Sequence, residues 1–105
     1  MDAKPEIAVA DNPEQDRYEV RAGGELAGFT QYKLAPGRIS FIHTEVDDRF
    51  EGQGLGSRLV AFALDDARAR GLDVLPFCPF VRAYIQRHPD YLDLVPEARR
   101  PQFDL

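Results

Sequence analysis

The hydrophobic pattern of the chain changes its period at one point, between residues 50 and 60. Before this point, short runs of β-type residues alternate with turn residues, which is typical of consecutive antiparallel hairpins. After it, apolar residues recur every three or four positions, which predicts an amphipathic helix from about residue 54 to residue 70. Gly52, Gly54 and Gly56 lie at the junction. We therefore expect antiparallel strands followed by a helical half, with a glycine-rich turn between them.

Two further elements are predicted after this helix. The run 72–77 is a short apolar strand, and the strand–helix–strand order implies that it lies parallel to strand 39–46 with a right-handed crossover. A second helix of about ten residues begins at Pro79 and ends before Pro89, because proline suits a helix start and restricts the residue before it. The tail contains one strand candidate, Leu92–Val95, and is otherwise expected to be loosely ordered.

Length and charge narrow the class of protein. The 105 residues allow one domain with a single core, expected over about residues 6–95. The net charge of -5 argues against nucleic acids and anionic membranes as partners. No apolar run approaches the ~20 residues that cross a bilayer, and the N-terminus lacks the order of a secretory signal. With one cysteine, Cys78, and so no internal disulfide, we expect a cytoplasmic location.

The glycine-rich turn matches neither of the two standard phosphate loops. A P-loop needs a Lys after its last glycine, and a dinucleotide fingerprint needs a glycine or alanine where this chain has Leu59. Two alternatives remain. The glycines either relieve backbone strain in a simple turn, or they expose free N–H groups at the positive end of a helix, where a pyrophosphate binds.

The stretch EGQGLGS, preceded by HTEV and followed by SRLVAFALDDARARG, resembles the acyl-CoA-binding motif of the GNAT superfamily of N-acetyltransferases. In this register Glu51 takes the position of the family's Gln or Arg, and Gly54 and Gly56 take the two small-residue positions. Glu51 departs from the family pattern, which weakens a role for its side chain. The order and spacing of blocks over roughly residues 6–95 is also similar to a compact subgroup, the small YjdJ-type acetyltransferase-like proteins.

The resemblance implies an α+β protein with a compact, shortened GNAT fold, the fold of acyl-CoA N-acyltransferases. Its parts are N-terminal antiparallel strands, a pyrophosphate-binding helix, a parallel strand and a C-terminal helix. It implies acetyl-CoA (CoA) as co-substrate, an amine as acceptor and no metal, with the pantetheine arm between the splayed ends of the two parallel strands. The residues expected to bind the cofactor are Val46, Glu51, Gly52, Gln53, Gly54, Leu55, Gly56, Ser57, Arg58, Cys78 and Arg82.

Acetyl transfer to an amine needs a base, and His43 and Glu45 on strand 39–46 are the candidates. Strict alternation along a strand predicts that both lie on one face with Ile39 and Phe41. Glu45 ends the strand where the thioester is expected, and partial burial there would suit it to the role of base. His43 is either the base itself or the group that orients Glu45. The structural alternatives are a solvated carboxylate and a packed core histidine.

Cys78 and Tyr84 are the other candidates for chemistry. Cys78 precedes Pro79 at the N-cap position, where the helix dipole favours a thiolate, and an acetyl-cysteine intermediate would make the transfer two-step. A buried structural thiol is the alternative. Tyr84 matches the tyrosine in the family's last helix that often protonates the leaving thiolate, although Phe80, Tyr84 and His88 also form one stripe that would pack.

Two functions of different class follow from these observations. The first is an acetyl-CoA-dependent N-acetyltransferase that acts on an unidentified amine. The second is a non-catalytic module that binds CoA, an acyl-CoA or a peptide, because elements that usually build the acceptor site have no counterpart in so short a chain. The oligomeric state stays open, a homodimer being one way to complete an exposed groove.

Overall fold

Residues 5–105 are described by the computed structural model, in which a five-stranded mixed sheet forms the centre. The strands are β1 (Ile7–Asn12), β2 (Arg17–Ala22), β3 (Glu25–Ala35), β4 (Arg38–Val46) and β5 (Asp73–Pro76). The first four pair in antiparallel fashion in chain order, and β5 pairs in parallel with β4. The predicted hairpins and the predicted parallel strand are confirmed.

The two helices lie where the hydrophobic period predicts the first and the two prolines predict the second. Helix α1 (Leu55–Ala69) buries an apolar stripe, and helix α2 (Pro79–Arg87) begins at its proline. Gly71 follows α1 with a φ of 68°, and the N–H of Leu72 donates to the carbonyl of Ala67, which closes the helix as a glycine cap does. Between residues 5 and 105, no helix has the length and apolar content required to span a membrane.

Helix α1 covers one face of the sheet. On this face Tyr18 of β2 donates a hydrogen bond from its hydroxyl to Asp66 of α1, and the buried rings of Tyr32 and Phe41 lie beside Tyr18. On the opposite face of β2, Arg17 pairs with Glu19 at 2.7 Å. We refer to this opposite side of β2, β3 and β4 as the polar face.

A β-bulge interrupts β4 at Ile42. The consecutive residues Gln31 and Tyr32 of β3 lie opposite His43 and Phe41, so Ile42 is an extra residue without a partner. An extra residue shifts the alternation of all side chains beyond it.

The bulge places His43 and Glu45 on the polar face. Phe41 is fully buried on the α1 face, and Thr44, three positions later, returns to that face. The side chains of His43 and Glu45 are more than half exposed. The prediction that these two residues share a face with Ile39 and Phe41 is therefore wrong, because strict alternation holds only in a strand without an extra residue.

The C-terminal tail packs against the core as two 3-10 helices, Pro89–Leu94 and Glu97–Phe103. Val95 and Phe103 are fully or almost fully buried. The predicted strand at Leu92–Val95 and the loosely ordered tail are both wrong. Three prolines in the tail cannot donate ladder hydrogen bonds, and its apolar side chains gain more by entering the core than by extending the sheet.

Candidate cofactor-binding and catalytic site

The turn between β4 and α1 holds two glycines in the left-handed region of the backbone. The Asp47 carboxylate accepts a hydrogen bond from the N–H of Arg49 and starts a short 3-10 turn. Gly52 and Gly54 follow with φ values of 79° and 72°. A Cβ added at either position would meet no heavy atom within 4 Å. These glycines are therefore required by backbone conformation, and their backbone borders open space.

The start of α1 presents free N–H groups next to these glycines. The first hydrogen bond of the helix runs from Arg58 N–H to the Gly54 carbonyl, at 3.1 Å, so the N–H groups of Leu55, Gly56 and Ser57 precede the helical ladder. A cavity of about 250 Å³, which we call the cradle, lies here. Its lining residues are Val46, Phe50, Glu51, Gly52, Gly54, Leu55, Gly56, Ser57 and Phe80. Backbone donors at a helix N-terminus suit an anion such as a pyrophosphate.

Gly56 is required for packing. A Cβ at this position would lie 2.6 Å from Cζ of Phe80, the second residue of α2. The absence of a side chain allows the starts of α1 and α2 to approach each other. Of the three glycines noted in the sequence, two serve the turn and one serves the contact between helices.

The pairing between β4 and β5 ends before β4 does. Their register runs from Arg38 opposite Asp73 to Phe41 opposite Pro76, and the N–H of Cys78 then donates to the Phe41 carbonyl at 2.9 Å. Residues 42–46 of β4 continue with no partner in β5. This opening leads to Val46 in the lining of the cradle. The end of pairing after Phe41 is compatible with the predicted splay of the two strands.

Cys78 is the N-cap residue of α2 and is 3% exposed. Its Sγ atom lies 3.2 Å from Oγ1 of Thr44, and Oγ1 of Thr44 lies 2.9 Å from Oγ1 of Thr30. Neither threonine was predicted from the sequence as a site residue. Threonine is common in strands, and only the bulge at Ile42 directs Thr44 towards the cysteine.

His43 and Glu45 lie close to each other on the polar face. Nε2 of His43 is 3.6 Å from Oε2 of Glu45, and their side chains are 55% and 59% exposed. The partial burial expected for Glu45 is therefore wrong, because the bulge turns its side chain outwards. Glu45 lines a cavity of about 430 Å³ that also includes Phe29, Asp47 and Asp48.

Tyr84 of α2 is buried against the rings of His88 and Tyr91, which follow the helix in the chain. Its centroid lies 4.1 Å from that of His88 and 5.9 Å from that of Tyr91. Burial raises the pKa of the Tyr84 phenol, with a smaller contribution from the charge of Asp65. The hydroxyl thus stays protonated at neutral pH and is a weaker acid than an exposed tyrosine.

Gln53, Arg58 and Arg82 are the remaining residues expected to contact the cofactor. Gln53 and Arg58 line an adjacent cavity of about 440 Å³. Arg82, one turn after Cys78, donates from Nη2 to the Phe77 carbonyl at 3.1 Å, while its Nε is buried with no hydrogen-bond partner. A buried unpaired donor is costly. The free N–H groups at the start of α1 and the open backbone of Gly52 and Gly54 fit a CoA pyrophosphate.

Within residues 5–105, no three His, Cys, Asp or Glu side chains converge to hold a metal ion.

Comparison with known proteins agrees with this architecture. A family model described as a GCN5-related N-acetyl-transferase matches residues 17–94. The chain is also similar to the NMR solution structure of a GCN5-like protein from Staphylococcus aureus, with 20% identity and a TM-score of 0.66 over 85% of this chain and 87% of that chain. At this identity the likeness concerns the fold, and it confirms the predicted shortened α+β architecture. No curated protein matches the chain.

Proposed function

Because the chain belongs to the GCN5-related N-acetyltransferase family, we propose that it is an acetyl-CoA-dependent N-acetyltransferase that acetylates an amine. The observation that carries this proposal is the position of the cradle. The free N–H groups at the start of α1 border a cavity that also includes Val46, at the end of β4 that β5 leaves unpaired. An anion-binding backbone and an open strand edge at one end of the sheet suit the pyrophosphate and the pantetheine of one CoA molecule.

Different residues are proposed to bind different parts of the cofactor. We assign the pyrophosphate to the backbone of Gly52–Ser57 and the pantetheine amides to the edge of β4 near Val46. Arg82 and Arg58 supply positive charge at separate points, with Gln53 beside Arg58. Glu51 lines the cradle without a cationic role. When bound, acetyl-CoA supplies the activated acetyl group.

Two catalytic routes lie on opposite faces of β4. On the α1 face, the sulfur of Cys78 would take the acetyl group and pass it to the amine. On the polar face, Glu45 with His43 would accept the proton of an amine that attacks the thioester directly. In either route Tyr84, which holds its proton at neutral pH, is the proposed donor to the leaving thiolate. Because β4 separates the two sets of side chains, single substitutions distinguish the routes.

A second candidate function is a module that binds CoA, an acyl-CoA or a peptide without turnover. The observation in its favour is the connection between β1 and β2, which is a 3-10 turn of three residues, Pro13–Gln15. Such a turn adds no helix from which an acceptor site could be built. Turnover, rather than binding, separates the two candidates.

Isothermal titration with acetyl-CoA is the first test. Binding in the micromolar to low millimolar range supports both candidates, and absence of binding at millimolar cofactor would contradict both. Replacement of Gly54 by Val should weaken binding, because a β-branched residue resists a positive φ. Gly37→Val is the matched control, since Gly37 has a φ of 77° in the β3–β4 turn.

Release of free CoA thiol with a panel of amines then tests turnover. Cys78→Ser should abolish the two-step route, and Glu45→Gln should slow direct transfer by about 10²–10⁴-fold, the usual value of general base catalysis. Activity unchanged in both variants would remove both residues from the mechanism. Tyr84→Phe tests the proton donor in the same assay.

We also propose a cytoplasmic location and leave a homodimer as the assembly to be tested. The single thiol of Cys78 stays reduced in that compartment. Light scattering of the purified chain, with and without acetyl-CoA, distinguishes monomer from dimer.

A further inference from the structure

Two hydroxyl groups, within hydrogen-bond distance of each other, connect the centre of the sheet to the sulfur of Cys78. Oγ1 of Thr30 on β3 lies 2.9 Å from Oγ1 of Thr44 on β4, and Oγ1 of Thr44 lies 3.2 Å from Sγ of Cys78. Thr30 is completely buried, and Cys78 is 3% exposed. Thr30 and Thr44 are direct partners in the antiparallel register. Sheet pairing therefore holds Thr30 and Thr44 opposite each other.

Two backbone features aim these groups at each other. The bulge at Ile42 returns Thr44 to the α1 face, where it would not lie under strict alternation from Phe41. The N–H of Cys78 donates to the carbonyl of Phe41, next to the bulge, which fixes the start of α2 against β4. Bulges often occur where a side chain must be redirected beside an active site.

The two threonine hydroxyl groups are able to form hydrogen bonds with both the thiol and the thiolate form of Cys78. Each hydroxyl has one proton to donate and lone pairs to accept. When Cys78 is a thiol, its S–H donates to Thr44, and Thr44 donates to Thr30. When Cys78 is a thiolate, Thr30 donates to Thr44, and Thr44 donates to the sulfur. The direction of these hydrogen bonds reverses when the two hydroxyl protons rotate, with no movement of heavy atoms.

We propose that Thr44 is a positioning residue for the sulfur of Cys78, that it stabilises the thiolate, and that Thr30 fixes the direction of its hydroxyl. This inference rests on the role proposed for Cys78. The sulfur of Cys78 attacks the carbonyl carbon of the thioester, the new S–C bond forms, and the bond from carbon to the sulfur of CoA breaks. The proton that Cys78 loses balances the one that the leaving thiolate takes up, and nothing is oxidised. The amine nitrogen then attacks the acetyl carbon, the bond from carbon to Sγ of Cys78 breaks, and the proton that the amine loses restores the thiol.

The pH dependence of alkylation of the full-length chain by iodoacetamide tests the inference without any cofactor. Cys78 is the only thiol, so no second site contributes. Thr44→Val keeps the shape and removes the hydroxyl; we expect alkylation at pH 7 to slow about tenfold or more, with the midpoint moved to higher pH, because a hydrogen bond to a charged group is lost. Thr44→Ser should restore the alkylation rate at pH 7 and the midpoint of the pH profile. Thr30→Val should change both by an intermediate amount.

Ser40→Ala is the matched control, since it removes a hydroxyl from β4 that makes no contact with the sulfur. Circular dichroism checks that each variant folds, and Thr44→Ala replaces Thr44→Val if the valine variant does not. Alkylation profiles of folded Thr44→Val or Thr44→Ala that coincide with the profile of the unmodified chain would overturn the inference.

Mass spectrometry after addition of acetyl-CoA separates this inference from the proposed function. If Cys78 gains an acetyl group at the same rate in the unmodified chain and in Thr44→Val, the proposed function stands and the role of Thr44 is wrong. If acetyl-CoA does not bind but the alkylation midpoint still moves in Thr44→Val, the proposed function fails, while the effect of Thr44 on the sulfur stands.

Discussion

The ring of Phe80 lies so close to the backbone of Gly56 that a Cβ at Gly56 would come within 2.6 Å of the ring. Gly56→Ala must therefore displace the ring, which is 38% exposed and able to turn towards solvent. We predict that the substitution lowers the free energy of unfolding by about 1 kcal/mol, the lower end of overpacking costs. Urea denaturation of Gly56→Ala, Phe80→Ala and the double variant measures the coupling.

In the Phe80→Ala background the displaced ring is absent, and alanine is the better helix former. Gly56→Ala should then be neutral or stabilising. If Gly56→Ala lowers the free energy of unfolding equally in the unmodified chain and in Phe80→Ala, the contact with Phe80 is not the reason for the glycine.

An acidic residue, Glu51, belongs to the cradle, where an anion is proposed to bind. Glu51 lines the cavity and is exposed. We predict that Glu51→Gln increases the affinity for acetyl-CoA by up to about fivefold at low salt, because exposed charges contribute up to about 1 kcal/mol, and that added salt reduces the gain. Titration calorimetry at two ionic strengths measures it.

Glu14→Gln, in the turn between β1 and β2, is the control for the change in net charge. An equal gain in both variants would assign the effect to net charge and not to the cradle.

The glycine turn and the bulge show how far the sequence predicts the site. The period change, the two prolines that bound α2 and the glycines of EGQGLGS are local signals, and they predict α1, α2 and the turn before α1 correctly. The bulge at Ile42 depends on how β3 pairs with β4, so the sequence of β4 alone does not predict it. For this reason the sequence predicts His43 and Glu45 on the wrong face and does not identify Thr44.

The hydroxyl of Tyr18 links β2 to α1 through Asp66, and its effect on stability depends on pH. Burial, and then the hydrogen bond to the Asp66 carboxylate, raises the pKa of Tyr18 well above its usual value of about 10. Unfolded chains release this proton near pH 10, whereas the folded protein retains it, so stability falls as the pH rises above 10 and is fully present below it.

We therefore predict that Tyr18→Phe lowers the free energy of unfolding by about 1 kcal/mol at pH 7, from the lost hydrogen bond. The difference from the unmodified protein should shrink above pH 10, because only the unmodified protein loses the contribution of this proton there. Urea denaturation at pH 7, 9 and 10.5 follows the difference. A difference that stays constant across this range would contradict the assignment to Tyr18.

The packing of Phe103 distinguishes an ordered C-terminal tail from a loose one. The ring is 1% exposed and meets Phe77 edge to face, with centroids 5.1 Å apart. We predict that Phe103→Ala lowers the free energy of unfolding by about 3–5 kcal/mol, the usual cost of removing a buried phenylalanine. Phe62→Ala, at a ring that is 39% exposed on α1, should cost less than half as much. Phe103→Leu keeps most of the volume and gives a measurable protein if the alanine variant does not fold. Equal melting temperatures for the unmodified chain and Phe103→Ala would show that the tail does not contribute to the core.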